Sequence, residues 1–244
     1  MRRKDNLITS LINVIYPRTC LICGDKPHKI SIADDVLCVK CRSTIKRNLP
    51  PFCCQCGRHL PARNFAKNIC SVCVKRPLSF DRAFSPCIYE GVIKELVHQF
   101  KYKNKDYLGH TLSKFMIRFI QEYNLPMNYL DVVIPVPLHK SKFREREFNQ
   151  SQILGSFIAR NFNKVISNDL LLRHRQTRTQ TGLDNNERFL NVRDTFSLNP
   201  GSSIKGKNIL LVDDVLTTGA TSSEAARVLK GAGANIVFVL TLAN

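Results

Sequence analysis

Ile209-Leu210-Leu211-Val212-Asp213-Asp214-Val215-Leu216-Thr217-Thr218-Gly219-Ala220-Thr221 is the stretch on which the reading of this chain turns. Four apolar residues run into two adjacent carboxylates, a Thr/Gly turn follows, and a helix-forming run opens at Ser222. That order describes a buried strand ending in an anion cradle. The first N–H groups of a helix lack intrahelical partners and carry the positive end of its dipole. Thr217, Thr218 and Thr221 add hydroxyl donors, and Gly219 lets the backbone approach a phosphate closely. Asp213 and Asp214 accept hydrogen bonds only, when ionised, which suits ribose hydroxyls or the water around Mg²⁺. An acidic pair by itself reads as a strand followed by an ordinary turn. The fixed order of strand, acids, turn and helix favours a sugar phosphate.

Working outward, apolar spacing predicts helices over 92–102, 106–123, 149–161 and 221–230, and strands over 131–136, 170–172, 209–213 and 236–242. Alternating strands and helices imply an α/β fold with a parallel sheet, whose ligands bind beyond the carboxyl ends of the strands. Two polar segments fall at such ends. Residues 135–150 concentrate Lys140, Lys142, Arg144 and Arg146 in a predicted loop that is able to hold a pyrophosphate, or to serve as a solvated basic surface. Residues 172–196 are long, polar and basic, and read as a mobile hood over a substrate or as a surface excursion.

All ten cysteines precede residue 88. Eight form CxxC pairs: Cys20/Cys23, Cys38/Cys41, Cys53/Cys56 and Cys70/Cys73. Gaps of 14 and 13 residues inside successive pairs of pairs are zinc-ribbon spacings, and predict two structural zinc ions. The pairing is open between sequential and cross-braced arrangements. Cys54 competes with Cys53 as a ligand, and Cys87 reads as a buried thiol.

The formal charge of +18 favours polyanions or a phosphate-rich substrate as partners, though Lys and Arg also simply solubilise a surface. At the N-terminus, Leu7, Ile8, Leu11, Ile12 and Ile15 share one helical face, while Thr9, Ser10 and Asn13 interrupt any signal-peptide core. No window is long and apolar enough to span a bilayer, and a cytoplasmic location is expected. The organisation expected is an N-terminal helix with a double zinc-ribbon module over 1–80 and a second domain over 81–244.

Taken together, four CxxC pairs, the Val136–His139 run with its spaced Arg144 and Arg146 before Asn149 and Gln150, the Thr177, Gln180, Leu183, Arg188 and Asn191 pattern, and the 209–221 stretch resemble the ComF/GntX family. The resemblance covers nearly the whole chain. It implies a type I phosphoribosyltransferase-like parallel sheet with helices on both faces, preceded by a zinc finger. It further implies that Asp213, Asp214, Thr217, Thr218, Gly219, Ala220 and Thr221 bind 5-phosphoribosyl-1-pyrophosphate (PRPP) with Mg²⁺. Arg144 and Arg146 would stabilise the leaving pyrophosphate, and Thr177, Gln180, Arg188 and Asn191 would form the hood. Relatives acting on 6-oxopurines carry Asp where this chain has Thr217, so purine salvage is disfavoured within the resemblance. Family members are implicated in natural competence, which makes single-stranded DNA and competence helicase or recombination proteins expected partners. A PRPP-dependent transferase of unknown acceptor and a non-catalytic, zinc-dependent DNA-binding factor are both consistent with it. One departure is Glu147, which stands where the family has Gly. The carboxylate is placed to pair with Arg146, or else the backbone there is not in a glycine-only conformation.

Overall fold

The structure is a computed structural model that describes residues 19–25, 36–61, 68–177 and 184–244. The predicted N-terminal helix lies outside the described residues. A five-stranded, all-parallel sheet forms the centre. Its strands are β1 (Arg82–Phe84), β2 (Val132–Pro135), β3 (Val165–Ile166), β6 (Asn208–Val215) and β7 (Ile236–Ala243), in the order β1-β7-β6-β2-β3. The strand predicted over 170–172 does not join it. β4 (Leu171–Arg173) pairs antiparallel with β5 (Phe196–Leu198) in a separate two-stranded ribbon.

Side chains alternate across a strand, so one run of apolar residues serves both faces of a covered sheet. Leu210, Val212, Leu240 and Leu242 face one cluster. It is filled by α3 (Gly91–Tyr102), α4 (Leu108–Glu122) and α6 (Gln150–Asn161). Ile209, Leu211, Val237 and Val239 face the other, against Ala225, Ala226 and Leu229 of α8 (Ala220–Gly231). The predicted apolar faces of the first two helices are buried as expected, except that Phe115 only packs at the cluster's edge.

The cysteine-rich region straddles this sheet. It contributes two one-turn helices, α1 (Val39–Ser43) and α2 (Ser71–Lys75). Cys20, Cys38 and Cys41 belong to the first apolar cluster, whereas Cys53, Cys56 and Cys73 belong to the second. Gly57 marks the closest approach. Its φ is +68°, and a Cβ there would lie 2.3 Å from the Ala83 carbonyl oxygen of β1.

Candidate active site and zinc clusters

From β2 the chain moves outward to β3 on one side, and from β6 it moves to β7 on the other. The carboxyl ends of β2 and β6 therefore flank the topological switch point, where open parallel sheets leave a crevice. Strand β6 continues through the acidic pair instead of ending before it, so Asp213 and Asp214 leave the strand on opposite sides. Asp213 Oδ1 accepts from Ser151 Oγ at 3.0 Å and from the Asp214 N–H at 2.9 Å. Burial, reinforced by the charge of Asp214, raises the Asp213 carboxyl to about 6. Asp214 is buried and pairs with Lys101 Nζ at 2.8 Å. Burial alone would lower Lys101, but Asp214 and then Asp213 more than reverse this and its pKa is raised.

The predicted basic loop is largely a helix, α5 (Lys140–Arg146), because His139 caps it by accepting from the Ser141 N–H. Arg146 turns inward and is buried. It donates to Gln150 Oε1 at 3.2 Å and to the Tyr102 hydroxyl at 3.1 Å, with its guanidinium 4.8 Å from the Tyr102 ring centre. Arg144 is exposed and makes no ion pair among the described residues. Glu147 does not pair with Arg146. It sits at φ +63° and accepts from Asn104 Nδ2, so the left-handed backbone is present without its usual glycine. Asn149 caps α6 and donates to the Val136 carbonyl at 3.0 Å, tying the helix to the end of β2.

One cation at this site, Lys101 on α3, escaped the sequence reading, and a second, Arg173 at the end of β4, fell inside the 172–196 hood segment without a role of its own. Arg173 donates to Thr177 Oγ1 at 2.8 Å, and Thr177 is buried. Burial lowers Arg173, with Asp213 opposing and Arg146 adding to the effect. Burial likewise lowers Lys142, helped by Arg173, Arg146 and Lys101. Lys101 and Arg173 thus sit in the field of the acidic pair, and Lys142 and Arg146 lie beside those two cations.

The turn after β6 is held from behind. The Leu216 N–H donates to the Ala243 carbonyl at 2.9 Å, and Arg58 donates to the Thr217 carbonyl. Gly219 has φ +79°, and α8 starts at Ala220 immediately after it. A Cβ at Gly219 would come within 3.2 Å of Leu78 Cδ1. Thr218 Oγ1 accepts from the Ala220 N–H at 3.4 Å, and Thr221 is half-buried in the first turn of α8. Arg188 and Asn191 lie on a helix the sequence reading missed, α7 (Asn185–Val192). Its signal was Asp184 with Glu187, a reciprocal capping box. Gln180 and Leu183 lie outside the described residues.

The cysteines gather as Cys20, Cys23, Cys38 and Cys41, and as Cys53, Cys56, Cys70 and Cys73, with the sulfurs of each group within 4.8 Å of one another. Pairing is therefore sequential. Cys23 and Cys38 sulfurs stand 3.8 Å apart, and those of Cys56 and Cys70 3.7 Å. Tetrahedral Zn–S bonds of about 2.3 Å require about 3.8 Å between sulfurs, so both donor sets fit zinc. Cys54 is exposed and takes no part in either group. Cys87 is a buried thiol, pushed up to about 12 by burial.

Residues 11–77 match the double zinc ribbon domain family, and residues 150–244 match the phosphoribosyl transferase domain family. The class is accordingly a zinc-ribbon protein with a phosphoribosyltransferase fold, and no helix among the described residues is long and apolar enough to cross a membrane. Competence protein ComFC of Bacillus subtilis is 30% identical over 238 residues, covering 91% of this chain and 93% of that protein. Competence protein F of Haemophilus influenzae is 29% identical, covering 92% and 96%. DNA utilization protein YhgH of Escherichia coli K12 is also 29% identical, covering 93% and 96%. The chain belongs to the ComF family of competence proteins.

Proposed function

We propose that the crevice between β2 and β6 binds Mg²⁺·PRPP, and that the chain is a phosphoribosyltransferase-like protein acting in the cytoplasm during DNA uptake. One observation carries this reading: a buried acidic pair at the switch point opens onto a helix N-terminus, with Lys101 paired to Asp214, Arg173 in the field of Asp213, and Lys142 and Arg146 beside those two cations. Asp213 and Asp214 would hold the ribose hydroxyls or the water around Mg²⁺, and the ion would offset the phosphate charge. Residues Thr217 to Thr221 take the 5′-phosphate through backbone N–H groups and hydroxyls. Arg146 and Arg173 face the pyrophosphate and stabilise it as negative charge develops on departure. Arg144 is assigned to the rim of that pocket, and Thr177, Gln180, Arg188 and Asn191 to the hood. Lys101 must exchange Asp214 for a ligand group as the site fills. The domain division proposed with this reading falls near residue 80.

A second reading is a non-catalytic single-stranded DNA-binding factor that meets competence helicase or recombination proteins. It is favoured by the charge of +18 and by the relative called a DNA utilization protein. Calorimetry with Mg²⁺·PRPP separates the two. The wild-type chain should bind, and an Asp213→Ala/Asp214→Ala chain with the same zinc content should not. A zinc-replete wild type that fails to bind refutes the PRPP site, and binding to an oligonucleotide that survives the double substitution then supports the second reading.

A further inference from the structure

The basic helix α5 has two working faces. Lys142 and Arg146 share one of them, beside Lys101 and Arg173. Phe143 and Glu147 share the next, and border a groove of about 390 Å³ that the crevice does not use. The floor of the groove comes from α6. Leu154 and Ile158 form the buried stripe of that helix, whereas Ile153 and Phe157 form a second apolar stripe beside it. The floor is braced by the helices beneath. A Cβ on Gly109 of α4 would lie 2.3 Å from Ile153 Cγ2, so the two helices touch there. The Phe157 ring lies 5.4 Å from that of His110, and the Phe148 ring 5.6 Å from that of Phe100. Phe143 alone of the rings lining the groove is exposed, at 46%. Arg160 closes the far end of the second stripe. Like Arg144, it is exposed and has no side-chain hydrogen bond or ion pair among the described residues. Glu147 is the one carboxylate lining the groove among the described residues, and Asn104 already donates to it.

We propose that this groove docks an acidic amphipathic helix of a partner protein. A large apolar side chain of that helix sits between Phe143, Phe148, Ile153 and Phe157, and a carboxylate one turn on meets Arg160. Spacing selects a helix as the occupant. Ile153, Phe157 and Arg160 stand at i, i+4 and i+7, so a helix laid along α6 meets apolar, apolar and cationic positions in step with its own turns. A braced floor with one loose aromatic flank is the form of a pocket in which a single buried anchor supplies most of the affinity. Charge selects the partner. The two arginines lack counter-ions, and the only carboxylate in the lining is engaged, so an acidic flank gains both unpaired cations. A formal charge of +18 repels a second copy of the chain and draws an acidic protein toward this face. The position also matters, because a helix seated here touches the same α5 that places Lys142 and Arg146 beside the crevice.

The test is fluorescence anisotropy on the zinc-loaded full chain with a dye-labelled helical peptide of Ala and Glu that carries Phe, Leu and Glu at i, i+4 and i+7. This peptide should bind. Versions with Ala at the two apolar positions, or with Lys for every Glu, should bind about tenfold more weakly. Phe143→Ser and Arg160→Glu, both at exposed positions, should each weaken the acidic peptide about tenfold while zinc content and urea unfolding stay unchanged. Lys207→Glu, an exposed charge reversal outside the groove, should not weaken it. The proposal is overturned if the acidic peptide does not bind, if either control peptide binds as well, or if Lys207→Glu weakens binding as much as Arg160→Glu. It is overturned in favour of a second copy if sedimentation shows a wild-type dimer that Phe143→Ser dissociates. It is overturned in favour of nucleic acid if a single-stranded oligonucleotide displaces the peptide and itself loses binding in Phe143→Ser.

Discussion

Asp213→Asn should make the unliganded chain more stable while abolishing Mg²⁺·PRPP binding. The Asp213 carboxyl rises from 3.8 to about 6 on folding. The folded state therefore holds this proton more tightly than the unfolded chain. Its contribution to stability is complete below the unfolded pKa and is lost as pH rises through about 6. About two units at 1.36 kcal/mol each amount to about 3 kcal/mol lost above pH 7. Asn keeps Oδ1 as the acceptor for Ser151 Oγ and the Asp214 N–H, so the hydrogen bonds survive the change. Losing the charge also weakens the field that supports Lys101, which reduces the expected net gain to about 1–2 kcal/mol at pH 8. The difference between variant and wild type should shrink by about 1 kcal/mol on going from pH 8 to pH 5. Urea unfolding of both chains at the two pH values, with zinc content measured at each, reads this directly. A variant less stable than wild type at pH 8, or a difference independent of pH, would refute the reasoning.

Glu147→Gly should be neutral or stabilising by up to about 1 kcal/mol, since it relieves a left-handed residue and loses one exposed hydrogen bond to Asn104; thermal unfolding tests this, and a clear loss of stability contradicts it. Gly57→Ala should cost more than about 2 kcal/mol and release one zinc, because the new Cβ meets the Ala83 carbonyl while φ is positive; retained zinc and unchanged unfolding would show that β1 yields easily. Cys41→Ser and Cys73→Ser should each lower bound zinc from two to one per chain, as expected for sequential clusters. Only Cys73→Ser should also weaken Mg²⁺·PRPP, because Arg58 and Leu78 brace the turn from the second ribbon; equal effects of the two substitutions would argue against that brace.

The long sheet strands were legible because both faces are buried, so Ile209 to Val212 and Val237 to Leu240 read as continuous apolar runs. Arg82–Phe84, Val165–Ile166 and Phe196–Leu198 are two or three residues long, too short for a period-2 pattern to register. The acidic pair and its turn were readable because one segment supplies all of their chemistry. The cations around them come from three separate elements, α3, α5 and β4, and only the fold brings them together. The run 140–146 misled by its charge: a loop was expected, and a capped helix delivers Arg146 inward while Arg144 stays exposed.

The pairing of β1 with β7 has a consequence for synthesis. Ser85 and Thr241 hydroxyls meet at 2.6 Å although 156 positions separate them. During translation, both zinc clusters close from ligands within about twenty neighbouring positions, long before β7 leaves the ribosome. Contacts of such separation form late and carry a large loop-closure cost. A metal-loaded cysteine region therefore waits with an unpartnered β1 until the strand at the other end of the chain arrives to complete the sheet. A ribosome stalled before Ile236 presents β1 and one edge of β6 bare, the kind of surface chaperones capture.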